Sequence, residues 1–136
     1  KDGVVDFIAT DHAPHNQVEK LCTFDEAANG ISVLETALGS LMSLVHTKDL
    51  PLPLLIDRLT AAPARFLGVE LGTLKAGAPA DVTIFDPDAE WVVDASTFAS
   101  KGKNTPLDGT TLKGQVVATI VGGVVKYEEA KAASAG

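Results

Sequence analysis

The chain has few of the features that mark a membrane protein, a nucleic-acid-binding protein or a disulfide-rich one. No apolar run in its 136 residues approaches the roughly 18 residues that a membrane-spanning helix needs. Basic residues are scarce, with 11 Lys and Arg against 18 Asp and Glu, and the net charge of −7 disfavours nucleic acid and anionic membrane surfaces. The single cysteine, Cys22, excludes an internal disulfide framework and favours a cytoplasmic location.

Aromatic residues are also scarce, at 5% of the chain, while apolar residues reach 46%. This balance is ordinary for a globular chain of about one domain. The chain begins at Lys1 in the middle of a strand-like pattern and without a methionine. We therefore expect a fragment or a processed C-terminal part of a longer protein.

The stretch around Asp11 carries the clearest chemical pattern. Residues 4 to 9 are nearly all apolar and predict a buried strand, and Asp11, His12 and His15 follow directly. The C-terminal ends of strands are where a (β/α)₈ barrel places its chemistry. Asp11 could bind a metal or move a proton there, and His15 would project into the same open end of the barrel. From spacing alone, an Asp that caps a turn and two surface histidines remain the alternative.

Helical patterns dominate the chain up to Gly68. Residues 12 to 30 form a long, charged connection, which is typical of a solvated lid. Apolar residues at helical spacing then predict a helix over 32 to 45, with Ser32 and Glu35 as its capping box. Two shorter helices are predicted at 53–59 and 63–67, the last closed by Gly68.

Strand patterns dominate after Gly68. Residues 81–86, 91–93, 115–121 and 124–127 read as strands, and Gly122-Gly123 predicts a two-residue hairpin between the last two. The alanine-rich tail from Ala130 is expected to fray.

The string Ala-Thr-Asp-His-Ala-Pro-His at residues 9–15 resembles the last active-site motif of the dihydroorotases, zinc amidohydrolases of pyrimidine synthesis. The Asp-His-Ala-Pro-His part is specific, whereas the later Gly-any-Leu…Gly…Ala-Asp string is shared by many amidohydrolases. The likeness covers nearly the whole chain up to Tyr127. It continues at Gly30-Ile31, Leu34 to Leu38, Thr60 to Gly68, Gly72-Thr73-Leu74, Ala80-Asp81, Asn104-Thr105-Pro106 and Thr119 to Gly123.

The resemblance implies an α/β fold made of two parts. Residues 1–68 would be the last strand, active-site loop and helices of a (β/α)₈ TIM barrel. Residues 69–128 would be the C-terminal part of a small β-sandwich, and 129–136 a tail. The first seven barrel strands would then lie outside this chain.

The resemblance also implies a reaction, the reversible conversion between dihydroorotate and N-carbamoyl-L-aspartate with one or two zinc ions. Asp11 would be the carboxylate that transfers the proton and touches the metal, and His15 would hold the substrate's carboxylate. Asn29 and Gly30 match positions whose main chain meets the pyrimidine ring, and His12 is given no role. Because the family's other zinc ligands are absent here, this chain alone is expected to be inactive.

Two alternatives remain open. One is a sister cyclic amidase, namely a dihydropyrimidinase (hydantoinase) or an allantoinase; the Ala13-Pro14-His15 ending favours dihydroorotase instead. The other is a catalytically inactive homologue that serves as structural partner of a transcarbamoylase; the presence of Asp11 and His15 argues against it. The expected partners are the small-molecule substrate, the remainder of the barrel, and a homo-oligomer or a transcarbamoylase, but neither nucleic acid nor a membrane.

Overall fold

A computed structural model describes residues 2–129. Four α-helices precede a three-stranded sheet in this range, in agreement with the predicted α/β class. The predicted tail from Ala130 lies outside the described residues, and no helix within them is long and apolar enough to cross a membrane. The elements are α1 (Gln17–Lys20), α2 (Ala37–His46), α3 (Leu52–Leu59), α4 (Ala61–Leu67), β1 (Val82–Val92), a 3-10 turn (Ala95–Thr97), β2 (Thr111–Val121) and β3 (Val124–Glu128).

The segment before α1 lacks regular structure, so the strand predicted over residues 4 to 9 is wrong for the described chain. Its apolar side chains are largely uncovered, with Val4 84% and Val5 61% exposed. A strand needs a neighbouring backbone to pair with, and none of the described strands lies beside this segment. Instead the Ile8 amide donates to the Arg58 carbonyl at 3.0 Å, and the Phe7 ring lies 4.9 Å from that of Phe66.

The capping box predicted at Ser32 and Glu35 is also wrong. Helix α2 begins at Ala37 with Thr36 as its N-cap, and no side chain caps it. The Ser32 hydroxyl donates instead to the Gly102 carbonyl at 2.7 Å, and Glu35 Oε1 accepts the Ser100 amide at 2.8 Å. Both side chains are therefore used to bind a distant loop, a contact that local spacing does not reveal.

The helices α3 and α4 confirm the predictions made for 53–59 and 63–67 within two residues at each end. Gly68 ends α4 in the left-handed conformation at φ 68°, where glycine is favoured, and its N–H bonds the carbonyls of the last turn. Arg65 pairs with Asp57 at 3.1 Å and so ties the two helices together.

The sheet has the order β1-β2-β3 with both pairs antiparallel. The segments 81–86 and 91–93, predicted as two strands, form the single strand β1, with a break in register between Asp86 and Glu90. The hairpin at Gly122-Gly123 is confirmed, since Val121 pairs with Val124 across it.

Helix α2 packs on β2 and joins the helical and strand parts of the chain. The side chain of Met42 is fully buried, and a Cβ built at Gly114 of β2 would lie 2.7 Å from Met42 Cγ. Beside this contact, Val93, Ala95 and Phe98 form a small core that Trp91, Leu107 and Leu112 help to cover. The loop after β1 is thereby held against the start of α2, beside the segment that carries Asp11. The division at residues 68 and 69 stays a prediction.

Candidate active site

Asp11 combines an unusual backbone with a side chain that has no partner. Its φ of 49° lies in the left-handed region, which costs a non-glycine residue about 1–2 kcal/mol. The carboxylate is exposed and forms no hydrogen bond or ion pair with any residue in the range 2–129. An exposed carboxylate on a strained turn is available to an external ligand or to a reacting proton.

His12 is a structural residue in this arrangement. Its Nδ1 accepts the amides of Val33 and Leu34 at 3.1 and 3.4 Å, so that nitrogen carries no proton. Its Nε2 lies 3.2 Å from the Ser100 hydroxyl and can donate to it. The ring thus ties the residue next to Asp11 to the turn before α2.

The structure brings His15, Asn29 and Gly30 together. The Nε2 of His15 donates to the Asn29 carbonyl at 2.7 Å, and its Nδ1 lies 3.2 Å from Glu19 Oε2. A Cβ built at Gly30 would lie 2.6 Å from Ala13 Cβ and 2.7 Å from the Ala13 carbonyl oxygen, at a backbone φ of 123°. Only glycine lets the end of the loop approach residues 13 to 15 this closely.

The loop between residues 12 and 30 contains a short helix, α1, that was not predicted from the sequence. A side chain of this helix joins the two sides of the loop. Asn16 and Glu19 form a reciprocal capping box at its start. Lys20 then reaches across the loop, where its Nζ donates to the carbonyls of Ala28 at 2.6 Å and Gly30 at 3.1 Å. The Asn-any-any-Glu spacing of residues 16–19 was a visible sign of this helix.

The contacts of Asn104 with this loop were also not predicted from the sequence. Its Oδ1 accepts the His15 amide at 3.2 Å and its Nδ2 donates to the Gly30 carbonyl at 3.0 Å, although these partners lie 89 and 74 residues away. The only sequence sign was that Asn104 belongs to the Asn-Thr-Pro string shared with the dihydroorotases.

Cys22 and His46 each contact a backbone carbonyl. Cys22 is exposed, and its Sγ donates to the Glu19 carbonyl at 3.4 Å. His46 Nε2 lies 3.0 Å from the Pro87 carbonyl and helps to seat the end of α2 on β1.

The described residues do not make a metal site by themselves. No group of three or more His, Cys, Asp or Glu side chains within residues 2–129 could hold an ion. A catalytic zinc takes about three protein ligands. Asp11, exposed and without a partner, fits the place of one oxygen ligand, and a complete set of ligands would need residues from outside this range.

Two cavities of the described chain lie away from Asp11. One of about 500 Å³ lies between α2 and the sheet, where Leu38, Trp91 and Phe98 line it and the buried Glu35 Oε2 has no partner. The other, of about 370 Å³, lies under the first residues of the chain and α3. Neither of these two cavities is lined by Asp11 or His15.

Comparison with known sequences gives a consistent family. The model of the amidohydrolase family matches residues 1–126. The dihydroorotase of Geobacter metallireducens is 52% identical over 128 residues, which are 94% of this chain and 30% of that protein. The dihydroorotase of Aquifex aeolicus is 49% identical over 130 residues, which are 95% of this chain and 30% of the relative. The chain thus spans about 30% of the length of the curated relatives it matches, and the resemblance to dihydroorotases is confirmed.

Comparison with solved structures gives the same superfamily fold. L-hydantoinase (dihydropyrimidinase) from Arthrobacter aurescens superposes with a TM-score of 0.85 at 34% identity, over 96% of this chain and 30% of that one. Dihydropyrimidinase from Brevibacillus agri superposes with a TM-score of 0.83 over 92% of this chain and 29% of that one. At 23% identity, the second match speaks for the fold alone.

Proposed function

Because this chain belongs to the amidohydrolase family, we propose that it forms part of a dihydroorotase, which interconverts dihydroorotate and N-carbamoyl-L-aspartate. The observation that carries the proposal is its 52% identity to a dihydroorotase over 94% of the chain. Residues 1–68 would complete a (β/α)₈ barrel and residues 69–128 a β-sandwich. The remaining barrel strands would come from the rest of the enzyme, which corresponds to the part of the relative's length outside the 30% that this chain covers.

The reaction needs an attacking water, a polarised carbonyl and a proton for the departing ring nitrogen. A bound zinc ion supplies the first two, because it lowers the pKa of water and acts as a Lewis acid. The free carboxylate of Asp11 is suited to the third task, since it can take the proton of the water and deliver it to the nitrogen. Asp11 would also be one of the zinc ligands, with the others outside residues 2–129.

His15 is suited to hold the carboxylate of the substrate. Its Nε2 is occupied by the Asn29 carbonyl, whereas its Nδ1 faces the exposed carboxylate of Glu19. When both ring nitrogens carry a proton, a substrate carboxylate can replace Glu19 as the acceptor at Nδ1 while Nε2 keeps its bond to Asn29. The carbonyls of Asn29 and Gly30 are taken by His15, Lys20 and Asn104, which leaves the amide N–H groups of these two residues to meet the substrate ring.

A hydantoinase is the second candidate. The observation that supports it is the TM-score of 0.85 to the Arthrobacter enzyme. Both enzymes open a cyclic amide, but dihydrouracil and hydantoin lack the ring carboxylate of dihydroorotate. Comparing turnover of dihydroorotate with that of hydantoin and dihydrouracil separates the two. Preference for a substrate without the carboxylate would exclude dihydroorotase.

The mechanism is tested in the complete enzyme by Asp11→Asn, which keeps the size of the side chain and removes its basicity. We expect kcat to fall by at least about 10², the lower range for loss of general acid–base catalysis, with folding intact. Asp25→Asn is the matched control, since Asp25 is an exposed acid of the same connection. Turnover near that of the wild type in zinc-loaded Asp11→Asn would remove Asp11 from the chemistry.

A further inference from the structure

We propose that Asn104 is a positioning residue that holds the two ends of the substrate-binding loop, residues 15 to 30, at a fixed separation. The inference rests on the proposed function, because that function gives His15 and Gly30 their roles toward substrate. The hydrogen bonds that support it are seen in the structure and do not depend on that function.

The side-chain amide of Asn104 bridges the two ends of the loop. Its oxygen accepts the N–H of His15 at 3.2 Å, and its nitrogen donates to the carbonyl of Gly30 at 3.0 Å. One planar group therefore fixes the backbone at both ends. A change in the position of Asn104 would move both substrate-binding positions together.

Asn104 is itself held firmly in place. Its carbonyl accepts the amide of the fully buried Ser32 at 2.8 Å, and the Ser32 hydroxyl binds the Gly102 carbonyl at 2.7 Å. Gly102 lies so close to the site that a Cβ built there would be 2.4 Å from Pro14 Cβ. The segment from Gly102 to Asn104 is thus seated directly on the turn that carries His15, and Asn104 acts from a rigid support.

The bridge requires an amide at this position. The oxygen is needed at His15, which presents a donor, and the nitrogen is needed at Gly30, which presents an acceptor. Aspartate has nearly the same shape but would place an oxygen against the Gly30 carbonyl oxygen. Asn104→Asp consequently breaks one end of the bridge, whereas Asn104→Ala breaks both.

The position of the His15 ring depends on both ends of the bridge. Its Nε2 is bonded to the Asn29 carbonyl, immediately before Gly30, while its backbone is held by Asn104 at the other end. If Gly30 moves, Asn29 and the ring move with it, and Nδ1 leaves the place where it would meet the substrate carboxylate. Asn104 makes no hydrogen bond to Asp11 among the described residues, so the step of proton transfer is left unchanged.

The kinetic test uses Asn104→Ala and Asn104→Asp in the full-length enzyme with dihydroorotate as substrate. We expect Asn104→Asp to raise KM about tenfold, the scale of one ordinary hydrogen bond, and Asn104→Ala to raise it at least as much, with kcat of both within about threefold of the wild type. The matched control is Thr105→Val, because the Thr105 hydroxyl accepts only the local Leu107 amide at 3.3 Å and touches neither end of the loop. KM values at the wild-type level in both Asn104 variants, or an equal rise in Thr105→Val, would overturn the proposal.

Amide hydrogen exchange gives a second test that needs no turnover. The His15 N–H should exchange at least about tenfold faster in Asn104→Ala, whereas Asn104→Asp keeps the acceptor and should keep it protected. A wild-type enzyme inactive on dihydroorotate refutes the proposed function, yet this exchange pattern still supports the bridge. Unchanged exchange at His15 in Asn104→Ala overturns the bridge, whatever the activity.

Discussion

Backbone strain at single residues marks the candidate site. Asp11 and Lys48 are the non-glycine residues with positive φ in the described chain, and Lys48 lies just past the end of α2. The strain at Asp11 persists because its neighbours are fixed: His12 is bound to the turn before α2, and the Ala13 amide donates to the Ile31 carbonyl at 3.1 Å. Strained residues held in this way cluster at functional sites, which agrees with the role proposed for Asp11.

Gly30→Ala tests how tightly the loop is closed. Gly68→Ala is the matched control, because its φ of 68° is also positive but a Cβ there meets nothing within 4 Å. The control should cost about 1–2 kcal/mol from backbone conformation alone. Gly30→Ala should cost about 1–3 kcal/mol more, because of its overlap with Ala13. Urea unfolding followed by Trp91 fluorescence measures both, and equal losses would show that the close approach is absent.

Tyr127 gives a prediction about pH. The hydrogen bond to Glu129 is the main cause that raises the pKa of Tyr127 from 10.0 to about 12. The folded protein therefore keeps the phenolic proton longer than the unfolded chain, and the stability this contributes is complete below pH 10 and is lost as pH rises toward 12. Since the sequence has one tyrosine, tyrosinate absorbance reports this group alone. Glu129→Gln should lower the titration midpoint toward 10, and a midpoint near 10 in the wild type would contradict the assigned cause.

At the scale of elements, signals within a few residues predicted structure well and those that depend on distant partners did not. The cap at Gly68 and the hairpin at Gly122-Gly123 were predicted because a turn is fixed by its own residues. Ser32 and Glu35 have the spacing of a capping box, but their bonds go to Gly102 and Ser100. Tertiary bonds of this kind compete with local capping, and the sequence does not show which of them wins.

The packing of α2 on β2 predicts a coupling between Met42 and Gly114. Met42→Ala should cost about 2–5 kcal/mol, as expected for a fully buried side chain. Gly114→Ala should also destabilise, because φ is 104° and the added Cβ would meet Met42 Cγ at 2.7 Å. In the double variant that clash is gone, so the two losses should sum to more than the measured total. Additive losses in urea unfolding would mean that helix and strand do not meet at this point.

At the scale of the whole molecule, the sequence predicted only part of the site. Asp11, His15, Asn29 and Gly30 were predicted as site residues because they lie in one motif and the loop that follows it, and that assignment stays a prediction. Asn104 was not predicted, because its separation of 89 residues from His15 is closed only by the docking of the strand part on the helical part.

The last prediction concerns what the 136-residue chain can do alone. Residues 2–129 hold no cluster of three metal ligands, and residues 130–136 contain no His, Cys, Asp or Glu. A catalytic zinc needs about three protein ligands, so Asp11 alone cannot retain the ion. The isolated chain should therefore bind no stoichiometric zinc in equilibrium dialysis and should not turn over dihydroorotate. Adding the separately expressed complementary part of a full-length dihydroorotase should restore both zinc binding and turnover, and Asp11→Ala should prevent the turnover. Activity of the isolated chain with zinc would show that it carries a complete site and would refute the assignment of the missing ligands to another segment.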